Sequence, residues 1–253
     1  MPALKQTPTQ TEKVYQALRR DIVECRLAPG SKIKMKYVCD THGVSLGAAR
    51  EALSRLSADG MTVPEAQRGY TVAPMSWVEL SQLTETRTEI EVSCLRKSIH
   101  HGDIEWETRV VAGLHRLLRA DDDGEKTDGT GPSLNWVRAH SEFHLALVSA
   151  CPNTFQLDLR NDLYSKTERY RFLSHAMSIK LGQRDARQEH MDLAELAQAR
   201  KTDEACALMT EHFLRTARDV LDAAKKMGGV TPNTMIELLP VSWASIRRDS
   251  VRD

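Results

Sequence analysis

Two short helical patterns separated only by Gly43-Val44 constrain the fold of this chain more than any other feature. The first covers residues 35–42. The second follows Ser45, a favourable N-cap residue, and continues as LGAAREALSRLSADG up to Gly60, a typical helix stop. Two helices joined by so tight a turn predict a helix-turn-helix unit.

The flanking segments predict a complete winged helix-turn-helix domain. Apolar residues recur at helical spacing over residues 12–26, which indicates a helix before the unit. After the unit, two β-prone runs, Met61–Val63 and Tyr70–Ala73, enclose a hairpin tip rich in turn residues. Three helices and a two-stranded wing are therefore expected within residues 1–75.

The charge distribution indicates a polyanionic partner for this domain. Residues 1–76 hold 11 Lys and Arg against 7 Asp and Glu, whereas the whole chain has 35 of each.

Arg50 lies one turn into the third helix, away from its apolar face, where a guanidinium can form two hydrogen bonds with guanine. Ser45 and the helix start suit a phosphate. Further attraction to a phosphate backbone is expected from Lys32, Lys34, Lys36 and Arg68. The alternative is that Arg50 pairs with Glu51 or Glu65 on a solvated surface.

The remainder of the chain is predicted to be almost entirely helical. Aromatic residues make up only 5% of the chain and glycine and proline together number 22, which argues against a β-sandwich. The capping box Ser76-Trp77-Val78-Glu79 predicts a helix start, and an acidic, glycine-rich loop is expected at Asp121–Pro132. Later helices are expected at about 134–150, 154–175, 183–200 and 203–226. The fold class is thus mainly α, with an all-α helical bundle over residues 76–228 and a C-terminal tail over residues 229–253.

The cysteines and the hydropathy pattern indicate the cellular compartment in which the protein is expected. The five cysteines are widely spaced and form no C-x-x-C pair, which favours a reduced, cytoplasmic protein. No apolar run reaches the roughly 18 residues of a membrane span, and the N-terminal segment has no apolar signal core. We therefore expect neither export nor a membrane partner.

Four of the nine histidines form a pattern that suits a metal site. His140 and His144 are four residues apart, so they share one face of a helix and can reach one ion. His190 and His212 lie on later helices, and a bundle could direct all four rings to one interior point. The alternative is that His140 and His144 are ordinary buried core residues.

Residues 14–76 resemble a known family. VYQALRRDIVECRLAPGSKI, GVSLGAAREALSRLSADGMTV and QRGYTVAPMS are similar to the DNA-binding domain of the GntR family of bacterial transcriptional regulators. The resemblance implies that Lys36, Arg50 and Gly69 contact DNA. Leu46 and Gly47 stand where members usually carry a basic or hydroxyl residue followed by Thr-Pro or similar, and both are kept as DNA-facing positions. A repressor that binds double-stranded DNA as a homodimer on an inverted repeat, and not an enzyme, is therefore expected.

Residues 77–226 resemble the all-helical effector domain of the FadR subfamily. Many members hold a divalent metal with an Asp or Asn, a His four residues later, and two more His on following helices. His144, His190 and His212 match the three histidine positions, and His140 replaces the carboxylate. All-nitrogen ligation suits zinc best, with nickel as the second choice. In the family this metal anchors a small carboxylate effector.

The other effector-binding candidates are basic or aromatic. Arg87 interrupts an apolar helical stripe, so its guanidinium is expected to point inward and clamp a carboxylate; the alternative is an internal ion pair with Glu91 or Glu89. Further pocket candidates are Tyr164, Arg169 and Arg171. The stripe Leu159–Leu163–Tyr170 is expected to be core. His140–Cys151 and Glu168–His175 resemble regulators of glutarate and 2-hydroxyglutarate catabolism, so a C4–C6 dicarboxylate or hydroxy-dicarboxylate is expected.

Two other functions compete with this interpretation. One is a metal-sensing regulator, in which the ion itself is the signal. The other is a zinc-dependent hydrolase, but a zincin needs Glu directly after the first His of H-E-x-x-H. In this chain Ser141 follows His140, and Glu142 comes one position too late.

Overall fold

The computed structural model describes residues 9–24, 26–27, 29–65, 69–75, 77–122, 133–172, 174 and 186–226. The chain divides into two compact units, Met1–Ser76 and Trp77–Asp253. Ser76, Arg68 and the expected C-terminal tail lie outside the described residues, as does most of the expected acidic loop.

The described part of the first unit contains three helices and three strands. The helices are α1 (Gln10–Val23), α2 (Met35–His42) and α3 (Leu46–Ala58). The strands are β1 (Lys32–Ile33), β2 (Thr62–Glu65) and β3 (Gly69–Val72). Helix α1 begins two residues before the expected start because Thr9 caps it by accepting a hydrogen bond from the amide of Glu12. The core of the unit consists of buried apolar side chains from every helix, including Leu18, Val38 and Leu53.

The wing belongs to a three-stranded antiparallel sheet with the order β1-β3-β2. The sequence predicted β2 and β3 but not β1. Lys32 pairs with Thr71, and Ile33 pairs with Tyr70. Two residues are too few to show an alternating pattern, so β1 is defined by its partner strand rather than by its own sequence.

Gly43 forms the turn between α2 and α3. Its φ of 62° lies in the left-handed region, which glycine adopts without a steric penalty. The amides of Gly43 and Val44 both point to the carbonyl of Cys39, which closes the C-terminus of α2. Ser45 can therefore start α3 at once, as the sequence predicts.

The second unit is helical throughout its described part. Its helices are α4 (Trp77–His101), α5 (Ile104–Asp122), α6 (Leu134–Val148), α7 (Thr154–Lys166), α8 (Ala186–Gln198) and α9 (Thr202–Lys226). Helix α5 packs against α6, and α4 packs against α7 and α9. The core includes Trp106, whose indole Nε1 donates a hydrogen bond to the carbonyl of Leu147 on α6 (3.2 Å). Among the described helices, none is long and apolar enough to cross a membrane.

The helix expected over residues 154–175 is interrupted. Helix α7 ends at Lys166, Thr167 follows with a ψ of 0°, and helical residues resume over 168–172. The hydroxyl of Thr167 bonds to the carbonyl of Leu163, and this local bond competes with helix continuation. Of the expected core stripe, Leu163 and Tyr170 are buried, whereas Leu159 is 44% exposed.

One face of α4 carries polar side chains into the interior. Arg87 and Glu91 are buried, together with Thr84 and Ser98, among the apolar residues of the same face. Arg87 points inward, in agreement with the sequence prediction. A buried polar stripe of this kind needs partners from neighbouring helices, since unpaired buried charges are unfavourable.

Candidate nucleic-acid interface and metal centre

The start of α3 is exposed and presents an outward-facing surface. The Ser45 hydroxyl accepts a hydrogen bond from the Ala48 amide (3.3 Å) and caps the helix. Leu46 is 53% exposed, and Gly47 and Arg50 are exposed beside it. The opposite face, with Ala49, Ala52, Leu53 and Leu56, is buried. Position 46 to position 50 is one helical turn, so these residues form one outward surface.

Arg50 makes no hydrogen bond or ion pair with any residue that the structure describes. The two carboxylates suggested as alternatives have other partners. Glu51 accepts a hydrogen bond from the Thr11 hydroxyl (3.2 Å), and Glu65 accepts one from the Thr71 hydroxyl (2.5 Å). The guanidinium of Arg50 is thus available for an external acceptor.

The remaining basic candidates lie at the start of α2 and in the sheet. Lys34 and Lys36 are exposed, and Lys32 lies 3.8 Å from Glu65. Gly69, which begins β3, has a φ of 97°, and a Cβ there would lie 3.2 Å from the carbonyl oxygen of Ile33. The backbone itself therefore requires glycine at this position, apart from any approach to DNA.

The second unit brings the four predicted histidines together. Helix α6 supplies His140 and His144, α8 supplies His190 and α9 supplies His212. All four are buried, and one potential ligand nitrogen from each lies within 4.8 Å of the others. This arrangement agrees with the helical spacing and with the bundle topology inferred from the sequence.

The electrostatics of the cluster favour neutral imidazoles. Burial is the largest cause that lowers the pKa of His140 and His144 well below the usual value, and the neighbouring histidines and Arg87 lower it further. Both ring nitrogens of His144 are buried and have no hydrogen-bond partner within the described part of the chain. Neutral imidazole nitrogens without a partner are costly to bury, and a metal ion would bind one of the two nitrogens of His144. The donor set therefore fits a divalent transition metal such as Zn²⁺.

Arg87 is buried beside this cluster with incomplete hydrogen bonding. Its Nη1 donates to the Thr167 hydroxyl (3.4 Å), and its Nε lies 3.7 Å from Glu91 Oε2, beyond hydrogen-bond distance. Within the described residues, Arg87 Nε and Nη2 have no hydrogen-bond partner. Burial lowers the Arg87 pKa to about 9, and the nearby Glu91 carboxylate partly offsets this effect.

Glu91 is bound more closely by another arginine. Arg160 Nε and Nη2 both donate to Glu91 Oε1, at 2.9 and 2.7 Å, and both side chains are buried. The alternative of an internal pair between Arg87 and Glu91 is thus present only as a long contact. The sequence analysis did not identify Arg160. Its position on a buried helix face was the signal that could have identified it, because a buried arginine requires a counter-charge.

The other effector candidates separate into two groups. Tyr164 lies beside the cluster, with its hydroxyl 3.1 Å from His140 Nδ1. Arg171 stacks on the Tyr164 ring with its guanidinium carbon 3.6 Å from the ring centroid. Arg169 instead pairs with Glu79 (3.4 Å), so it does not face the histidines.

A cavity of about 40 Å³ adjoins the histidines. Its lining includes Arg87, Trp136, His140, Arg171, His190, His212 and Phe213. Trp136 stacks on His140 with ring centroids 4.6 Å apart, and it precedes His140 by one helical turn. Sequence reasoning did not identify Trp136, although its i, i+4 spacing from His140 placed it on the same face. The cavity combines apolar walls with two guanidinium groups and the histidine cluster.

Glu142 lies away from the cluster. Its carboxylate accepts a hydrogen bond from Arg138 (2.9 Å) and pairs with Arg116 (3.2 Å). The geometry therefore does not place Glu142 next to the histidines in the manner of a zincin.

Comparisons with known proteins agree with these two units. Residues 10–72 match the family described as bacterial regulatory proteins, gntR family, and residues 82–215 match the FCD domain. The chain is 39% identical over 204 residues to the uncharacterized HTH-type transcriptional regulator BphR of Paraburkholderia xenovorans, covering 80% of this chain and 81% of BphR. It is 32% identical over 204 residues to the HTH-type transcriptional repressor GlaR of Escherichia coli, covering 79% of this chain and 90% of GlaR. The structure of E. coli McbR/YncC aligns with a TM-score of 0.66 at 15% identity, over 86% of this chain and 99% of that chain.

The winged helix-turn-helix fold, its exposed recognition helix and these relatives define a DNA-binding transcriptional regulator rather than an enzyme. The chain belongs to the GntR family, and its FCD domain is the effector domain of the FadR-like subfamily.

Proposed function

We propose that the protein is a repressor that binds its operator through residues 1–75 and is released by a small carboxylate bound within residues 76–228. The observation that carries this proposal is the buried four-histidine cluster, three of whose members line one cavity with Arg87 and Arg171. The relative GlaR is named as a transcriptional repressor, and this name supports repression rather than activation of transcription.

The proposed DNA contacts come from the first unit. Arg50 reads a guanine, and Ser45 and the start of α3 bind a phosphate. Leu46 and Gly47 face the groove beside them. Lys36, together with Arg68 and Gly69 of the wing, is assigned to the phosphate backbone.

The proposed metal ligands are His140, His144, His190 and His212, with Zn²⁺ as the preferred ion and Ni²⁺ as the second choice. When bound, the ion supplies positive charge and, where its coordination number exceeds four, open positions for a carboxylate. Trp136 and Phe213 exclude water from the cavity, and this exclusion strengthens every charge interaction within it.

The charges around the cavity favour an effector with two carboxylates. Arg160 occupies one oxygen of Glu91 with two hydrogen bonds, and Arg87 Nε lies 3.7 Å from the other oxygen, so the two arginines share one carboxylate. Within the described residues, Arg171 donates hydrogen bonds to neutral oxygens, the carbonyl of Tyr164 and the hydroxyl of Thr167. One carboxylate on the metal and a second on Arg87 and Arg171 would compensate these cations. Glutarate and 2-hydroxyglutarate have this chemistry.

Release from DNA requires that the effector bind the DNA-free arrangement more tightly than the DNA-bound one. A tenfold difference in affinity corresponds to about 1.4 kcal/mol, which one charge-assisted pair can supply. Helix α4 carries Arg87 and follows the DNA-binding unit directly in sequence.

The test is the variant Arg87→Ala. We expect it to retain metal and operator binding but to lose release by glutarate, measured by fluorescence anisotropy of a labelled operator. Arg160→Ala is the matched control. It should lower stability by about 3–5 kcal/mol, because it leaves the buried Glu91 carboxylate without its close partner. A large loss of thermal stability in effector-free Arg87→Ala would support a purely structural Arg87 and contradict the proposal.

A metal-sensing regulator is the second candidate. Four histidines could by themselves supply the four ligands that a structural Zn²⁺ site takes, and this number of ligands favours it. An anchoring metal should survive dialysis without chelator, whereas a sensed metal should be lost. Operator affinity that depends on Zn²⁺ alone, without any carboxylate, would establish the sensor.

A further inference from the structure

Glu189 connects two of the histidine-bearing helices. It immediately precedes His190 on α8, and its carboxylate reaches α9, where Oε2 lies 2.8 Å from His212 Nδ1. Its other oxygen, Oε1, accepts a hydrogen bond from Arg215 Nη1 (2.8 Å). Glu189 is 5% exposed and His212 is 4% exposed, so the contact is shielded from water.

We infer that Glu189 is a positioning residue for the metal centre and acts through His212. An ionised carboxylate only accepts hydrogen bonds, so His212 Nδ1–H is the donor and Nε2 keeps its lone pair. A carboxylate on the far nitrogen fixes the tautomer and the ring orientation, and it makes the imidazole a stronger ligand. This inference rests on the metal centre proposed above.

The surroundings of Glu189 separate this role from that of an ordinary ion pair. Arg215 does not depend on Glu189, because its Nε also donates to Glu211 Oε1 (2.9 Å) and its side chain is 43% exposed. Burying a carboxylate is unfavourable unless it gains partners, and here the gain includes a histidine of the cluster. The hydrogen bond from Arg215 thus fixes the position of the Glu189 carboxylate, and that carboxylate in turn orients the His212 ring.

The hydrogen-bond partner of His140 is uncharged, unlike the carboxylate that contacts His212. His140 Nδ1 lies 3.1 Å from the neutral hydroxyl of Tyr164. Only a negative charge raises the basicity of the opposite nitrogen strongly, so the contact with His212 contributes more to metal affinity than the contact with His140.

The test compares Glu189→Ala, Glu189→Gln and the control Glu211→Gln in the full chain. Glu211 pairs with the same Arg215, and its described ion pairs are with arginines alone. Zn²⁺ affinity is measured by competition with a chromophoric chelator. We expect Glu189→Ala to weaken Zn²⁺ binding about 10–100-fold. Glu189→Gln should have a smaller effect, since its amide oxygen still accepts the hydrogen bond, and Glu211→Gln should have none.

A second readout uses the metal-free protein. Long-range ¹⁵N–¹H spectra of the histidine rings should show His212 as the Nδ1–H tautomer, and Glu189→Ala should abolish that preference while the thermal melt keeps its cooperative shape. Unchanged affinity and an unchanged His212 tautomer in Glu189→Ala would overturn the inference alone. The same outcome follows if Glu211→Gln weakens Zn²⁺ binding as much as Glu189→Ala. Absence of Zn²⁺ binding by the unmodified protein would instead overturn the metal centre and this inference together.

Discussion

Arg50 and Arg87 are the same residue type in opposite surroundings. Arg50 is exposed on α3 and has no partner in the described chain, so its full donor set faces outward. Arg87 is 4% exposed, and burial lowers its pKa to about 9. A cation that gives up hydration in the fold needs an anion, whereas an exposed cation on a recognition helix is available to a base edge.

Arg50→Ala should weaken specific operator binding by about 1–3 kcal/mol per half-site, because two hydrogen bonds to a guanine are lost. Arg50→Lys is the control that keeps the charge but loses the bidentate geometry. We expect it to retain binding to random DNA while losing preference for the operator, as measured by anisotropy at fixed salt. Full operator affinity in Arg50→Ala would mean that another part of the domain reads the bases.

At the scale of the element, α3 depends on how it starts. The Gly43 turn allows Ser45 to cap the helix directly, and the cap satisfies the Ala48 amide. The first turn of α3 is also its exposed end. The Ser45 cap therefore orders the same residues that are proposed to contact DNA.

Ser45→Ala should lower the stability of α3 by about 1 kcal/mol through loss of the cap. Hydrogen exchange of peptides over residues 45–60, measured in the absence of DNA, should become several-fold faster. Ser54→Ala is the control, since Ser54 is exposed in the middle of the same helix. Equal exchange in both variants would show that the cap does not stabilise the helix.

At the scale of the whole molecule, metal binding should raise the free energy of unfolding. A ligand that binds the folded state at 100 times its Kd adds about 2.7 kcal/mol. Removal of Zn²⁺ with a chelator should therefore lower the Tm of the helical unit by roughly 5–10 °C. The double variant His190→Ala/His212→Ala should show no response to the chelator, and an unmodified protein with no response would contradict the metal site.

The assembly is the second prediction at this scale. One winged domain reads one half-site, so a homodimer on an inverted repeat is expected. Sedimentation should give a species of twice the 28.5 kDa chain mass, and that species should bind a duplex with two half-sites more tightly than a duplex with one. A monomer at micromolar concentration that binds both duplexes equally would contradict it.

Much of this protein could be predicted from the sequence, because the relevant signals are local. The 3.6-residue period and the Gly43 turn define the helices of the first unit, and the spacing of His140 and His144 places both rings on one face. The family resemblance then identified the regulator class, and the two matching families confirm it.

Only the tertiary structure decided which side chains share an environment. β1 is a strand because β3 pairs with it, and α7 ends where Thr167 bonds back to the preceding turn. Arg160 forms hydrogen bonds with Glu91 across 69 residues of sequence and shares that carboxylate with Arg87, and Arg169 pairs with Glu79 across 90 residues. Helical period fixes the face on which a residue lies, but its partner depends on how the helices pack, and single-chain periodicity carries no record of that packing.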